Sequence, residues 1–97
     1  MAVKIFIRRT VPQDKAKAMI PLLRQMRASA TTQPGYISGE TFFHLERPEE
    51  CLVISRWTSL EHWQKWIKEP RRKELHENIQ KHLDTKIEYN IYGVGLW

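Results

Sequence analysis

Disulfide partners, long apolar runs and flexible filler are all missing from this chain of 97 residues. Its single cysteine, Cys51, cannot form an internal bridge, which fits a reducing cytoplasm and not a stapled secreted scaffold. Apolar runs stop at stretches such as Leu52-Val53-Ile54, far short of the ~20 residues a membrane helix needs. The first ten residues lack the basic-then-apolar layout of a secretory signal, so no leader and no membrane attachment are expected. Only four glycines and five prolines argue against low-complexity or fibrous sequence. Metal and nucleophile signatures are missing as well. The four histidines, His44, His62, His76 and His82, fall in no zinc-binding spacing, and no Gly-x-Ser-x-Gly elbow occurs. No resident metal is expected.

What is present suits one globular domain over 1–97: 41% hydrophobic and 28% charged residues. The net charge is +5, with 16 Lys+Arg against 11 Asp+Glu. The basic residues are scattered and interleaved with acids, as in Arg71-Arg72-Lys73-Glu74, and do not form the one-signed stripe that phosphate recognition needs. Nor are aromatics set among them in an RNA-binding pattern. A solvated basic surface is the reading, with no nucleic-acid partner.

Hydrophobic periodicity gives the element order. Val3, Ile5 and Ile7 alternate with Lys4, Phe6 and Arg8, a strand. After Pro12, the set Ala16, Met19, Ile20, Leu23, Met26, Arg27 and Ala30 follows helical spacing; Pro21 inside it should bend the helix or divide off its first turn. Gln33-Pro34-Gly35 makes a turn. Tyr36 to Glu46 and Cys51 to Trp57 read as a hairpin across Arg47-Pro48. Thr58 with Glu61 looks like a capping box before a helix carrying Leu60, Trp63, Trp66 and Ile67. Pro70 then opens a further helix in which Leu75, Ile79 and Leu83 recur every four residues. Lys86 to Trp97 is the last strand. The order β-α-β-β-α-β, with the second helix split, is an α+β, ferredoxin-like antiparallel sheet.

Its strands carry apolar residues on both faces: Phe6 opposite Val3, Ile5 and Ile7, then Phe42 opposite Ile37, Phe43 and Leu45, then Leu52 and Ile54 opposite Val53 and Trp57. A sheet wet on one side should alternate more cleanly. A second copy laid face to face would cover the surplus, so a homodimer is expected, with the long last strand reaching toward the partner.

Tryptophan is the one residue in excess. Of four, three fall close together at Trp57, Trp63 and Trp66. Trp63 and Trp66 lean to one side of a helix, and His76 lies ten residues on, across the Pro70 break. Such a group can line an apolar pocket for a flat aromatic ligand. It can equally be a packed tryptophan core beside a half-buried histidine.

The segments Gln33-Pro34-Gly35-Tyr36-Ile37-Ser38-Gly39-Glu40-Thr41, Leu52-Val53-Ile54-Ser55-Arg56-Trp57-Thr58-Ser59 and Trp63-Gln64-Lys65-Trp66 with Pro70-Arg71 resemble the antibiotic biosynthesis monooxygenase domain. The resemblance implies a dimeric α+β barrel with one pocket per subunit between helices and sheet. It implies oxidation of quinols or phenols without metal or flavin, or, in another branch, heme degradation. In that heme branch the matching positions are Trp66, His76 as iron ligand, and an asparagine where this chain has Ile7. The expectation is therefore a monooxygenase with no cofactor. Trp66 and His76 would be catalytic, His76 as base, and Trp63, Trp66, Ile7 and Trp57 would hold a small aromatic substrate. The alternatives are a heme-binding or heme-degrading protein, or a dimer that binds a small aromatic without turnover.

Overall fold

The computed structural model describes residues 1–83 and 86–95. In chain order the elements are β1 (Val3–Thr10), α1 (Gln13–Thr31), β2 (Tyr36–Phe43), β3 (Glu50–Trp57), α2 (Leu60–Lys68), α3 (Pro70–His82) and β4 (Glu88–Gly93). The strands form one sheet in the order β2-β3-β1-β4, each neighbour antiparallel, the ferredoxin-like arrangement.

Register decides which side chains share a face. Val3 pairs with Trp57, Ile5 with Ser55, Ile7 with Val53 and Arg9 with Cys51. Successive strand side chains alternate, so these positions point one way, toward the helices. There Val3, Ile5, Ala30, Trp57 and Trp66 form one buried cluster, and Met19, Ile79 and Leu83 a second between α1 and α3. The opposite face carries Phe6, Leu52, Ile54, Phe42 and Tyr92, with no helix laid over it. Phe6 meets Tyr92 edge to face, centroids 5.1 Å apart.

Several local expectations are corrected. Pro21 does not divide α1, which runs unbroken across it. Ile20 lies outside the core, 47% exposed, because the inward stripe runs through Met19 and Leu23. The start of α2 is capped by Ser59, not Thr58: Ser59 Oγ accepts from the His62 amide at 3.2 Å, so the third helical residue is His62 and Glu61 takes no part. The second strand stops at Phe43, since the His44 imidazole accepts from the Glu46 and Arg47 amides and folds the chain into a turn. The last strand spans Glu88–Gly93, ending where β1 runs out of partners at Val3. Lys86, Ile87, Val94 and Gly95, expected in this strand, lie outside it, and only the part of the expectation that falls on Leu96 and Trp97 lies outside the described residues. Gly35 takes a positive φ of 87° and sits against the His62 ring, where a Cβ would collide; only glycine suits that turn.

Candidate functional site

A cleft opens between α1, α2, α3 and the sheet. Its floor is Ile7, Val53 and Ser55 from the middle strands, and Trp57, at the end of β3, closes one side. Trp57 is held rigidly: its Nε1 donates to Ser55 Oγ at 3.1 Å, and Tyr36 stands perpendicular to it at 5.4 Å. From α2, Trp66 and Trp63 enter from above, as their three-residue spacing requires. Trp66 is buried; Trp63 is half-buried and tilted against Tyr89 at 6.2 Å. The cavity measures about 70 Å³, and the empty space widens to about 640 Å³ when its open mouth is counted.

The polar groups of the wall are the hydroxyls of Tyr36, Thr41 and Ser55 and three guanidinium groups, Arg9 from β1, Arg27 from α1 and Arg72 from α3; no carboxylate stands among its described residues. Arg27 donates to Thr41 Oγ1, and Arg72 Nη2 donates to Tyr89 Oη at 2.7 Å. Arg9 and Arg72 are only 3% and 7% exposed, and the Nε of each is buried without an acceptor. None of the ion pairs among the described residues involves either one.

The structure thus brings together four of the five side chains expected at the site: Trp57, Trp63, Trp66 and Ile7 share the cleft. His76 does not join the wall. It sits one turn beyond Arg72 on α3, half-buried, its Nδ1 buried and unpartnered. Burial first, then the nearby Arg72 and Arg9 charges, hold its pKa below the ordinary histidine value, with Glu77 opposing. Burial raises the thiol pKa of Cys51, with Arg9 and Arg27 opposing.

Sequence reasoning missed Arg9, Arg27 and Arg72 as site residues, treating them as surface charge or helix-stripe filler. The signals were there. Val3, Ile5 and Ile7 continue in steps of two to Arg9, and Arg72 precedes Leu75 by three on the inward stripe of α3.

The model of the antibiotic biosynthesis monooxygenase family matches residues 2–78. The chain belongs to that family. No curated protein matches significantly. Among solved structures, a conserved protein from Methanosarcina mazei is similar at 22% identity and a TM-score of 0.87, covering 95% of this chain and 91% of that one. SnoaB, a cofactor-independent oxygenase from Streptomyces nogalater, is similar at 14% identity and a TM-score of 0.85, covering 99% and 95%. A Mycobacterium tuberculosis protein follows at 15% identity and a TM-score of 0.84, covering 96% and 94%. At these identities the likeness is one of fold.

Heme, raised by one branch of the family, does not fit this cleft. His76 stands off the wall, and Ile7 offers no polar handle. Among the described residues no group of three or more His, Cys, Asp or Glu side chains could hold a metal ion. No helix among them is long and apolar enough to cross a membrane.

Proposed function

We propose that this family member is a cofactor-independent monooxygenase acting on a small electron-rich aromatic, a quinol or phenol, in the indole-walled cleft. The observation that carries the reading is the cleft itself: an apolar slot, walled by Trp57, Trp63 and Trp66 and open on one side, in a chain of the monooxygenase family. SnoaB's description as cofactor-independent supports the absence of a resident cofactor.

The substrate ring lies against Trp66 and Trp63, with Ile7 beneath it and Trp57 at its edge. Loss of the phenolic proton makes an electron-rich phenolate. One electron passes to O₂, and the resulting radical and superoxide combine through a new C–O bond. Protonation gives a hydroperoxide, and loss of water from it leaves a quinone. Phenol and O₂ are thus converted to quinone and water, with one oxygen atom retained. The protein's part is to deprotonate, to orient the ring and to keep water from the radical pair. His76 accepts the proton, its lowered pKa keeping it neutral near pH 7.

Two copies associate through the uncovered sheet face, where Phe6, Leu52, Ile54 and Phe42 would otherwise meet water.

O₂ uptake with 1,4-dihydroxynaphthalene tests the reading. Wild type should consume O₂ above the autoxidation rate, with Trp66→Phe and His76→Ala each lowering kcat ~10-fold or more. No uptake above background retires the oxygenase and leaves an aromatic-binding dimer. Equal rates in His76→Ala remove His76 from the reaction.

A further inference from the structure

We infer that the cleft is built for an aromatic carboxylate, whose ring takes the indole slot while its carboxylate sits between the guanidinium groups of Arg9 and Arg72. This names the substrate class of the site described above and rests on that reading only for where the ring lies.

Two buried cations that line one cleft, each with an orphaned Nε and with no acid among the described lining residues, are an unusual thing for a small domain to keep. Lone buried charges are costly, and buried Arg is nearly always paired. Burial first lowers the pKa of Arg9, with Tyr89 and Cys51 opposing and Arg72 adding to it; burial, then Arg72 and Arg9, lower that of His76. The protein offers Arg72 only the neutral Tyr89, whose Oη accepts from it and whose ring centroid lies 5.9 Å from the guanidinium carbon, and offers the Nε of Arg9 no acceptor. An anion supplied from outside removes the imbalance.

The remainder of the wall says which anion. A fork-shaped guanidinium matches a planar carboxylate, whose two oxygens carry about four acceptor sites, enough for two arginines. A phenol is neutral on arrival and becomes an anion only during reaction, so it leaves both cations unpaired in the resting complex. Inorganic phosphate would satisfy the charge but waste the apolar slot of Trp63, Trp66 and Ile7. The carboxylate also fixes the ring's register, so that one ring position faces the mouth through which O₂ arrives.

Calorimetric titration of the purified protein with 2-naphthoate, 2-naphthamide, 2-naphthol and inorganic phosphate tests this. Naphthoate should bind at least ~10-fold more tightly than its neutral amide isostere and than naphthol, as charge-assisted hydrogen bonds imply. Arg72→Gln and Arg9→Gln should each erase most of that preference while amide binding stays put. Equal binding of acid and amide, or of acid and naphthol, overturns the inference; so does phosphate binding as tightly as naphthoate. If Arg9→Gln does not fold, the four-ligand comparison in wild type and in Arg72→Gln still decides. Failure here is separable from failure of the oxygenase reading: a neutral quinol consumed with O₂ by a protein that ignores naphthoate retires the carboxylate alone. Tight naphthoate binding without O₂ uptake retires the oxygenase alone.

Discussion

The two faces of this sheet handle charge in opposite ways. On the uncovered face, Arg8 reaches Glu88 at 3.5 Å and Glu50 at 4.0 Å, all three at least partly in water. On the helix-covered side, Arg9 and Arg72 are buried with no carboxylate among the described residues that line their cleft. Apolar side chains are exposed on both sides: Phe42 and Tyr92 are 41% and 57% exposed on the uncovered face, while Phe43 and Ile91, at helix-facing register positions on the two edge strands, are 66% and 45% exposed. A sheet stabilised only for its own sake would show neither feature. Exposed apolar surface asks for a partner protein, and buried unpaired cations ask for an anionic guest.

The most severe way to break the comparison is to charge the uncovered face. Phe6→Asp with Leu52→Asp puts carboxylates where the two copies would meet. The expected outcome is a dimer weakened ~100-fold or more, since several buried like charges each cost some kcal/mol. Sedimentation velocity on wild type and variant reads it directly. A wild type already monomeric at micromolar concentration would show instead that this apolar face is tolerated in water.

Next in size comes neutralising the other face. Arg72→Met keeps the length and apolar stem of the side chain and deletes a charge that lacks a counterion. Stability should rise by ~1 kcal/mol, the loss of the Tyr89 hydrogen bond offsetting part of the gain, which for a domain of this size is a Tm increase of ~4–8 °C. Thermal unfolding followed by circular dichroism measures it. A lower Tm would mean that Arg72 holds the structure together, and would count against its being kept for a ligand. A gain in stability with a loss of carboxylate binding is the pattern expected of a functional residue.

The faces were also unequally legible. Alternation in β1 and the four-residue recurrence of Leu75, Ile79 and Leu83 follow from burial, which leaves a direct mark on residue order, so strand order and core were readable. The tryptophan cluster was readable for the same reason. Arg9 and Arg72 were not, although they sit at inward positions of those very patterns, because an arginine in a sequence is ordinarily a surface residue. His76 fell the other way. Its spacing from Trp66 suggested the same pocket, but the turn at Pro70 restarts the helix, and Arg72 takes the inward position one turn ahead of it. Chain spacing across a break does not fix direction.

A smaller effect tests whether the cations act on their neighbour. His76 titrates below its ordinary ~6.5 in the folded protein, through burial and then the charges of Arg72 and Arg9. A depressed folded pKa means that the unfolded chain binds the proton first. Its contribution to stability is therefore complete above about pH 6.5 and is lost as pH falls from there through the lower folded value. His76→Asn should flatten that stretch of the stability-against-pH curve, measured by urea unfolding between pH 7.5 and 5. Arg72→Gln should recover part of the flattening, and an unchanged slope in both variants would mean the imidazole is effectively solvated.

The smallest expected effect is the most instructive, because it compares adjacent residues of one type. Arg8 and Arg9 differ only in which way a strand side chain points. Arg8→Gln removes an exposed cation from its two glutamates and should change stability by less than ~0.5 kcal/mol, with no effect on naphthoate binding. What little it does should vanish at 0.5 M salt, since exposed pairs are screened over a few ångströms. Arg9→Gln, one position along, should leave the salt dependence of stability unaltered and abolish the preference for the acid over the amide. If the two variants behaved alike in binding, a diffuse basic surface would explain anion attraction, and the burial of Arg9 would have no part in it.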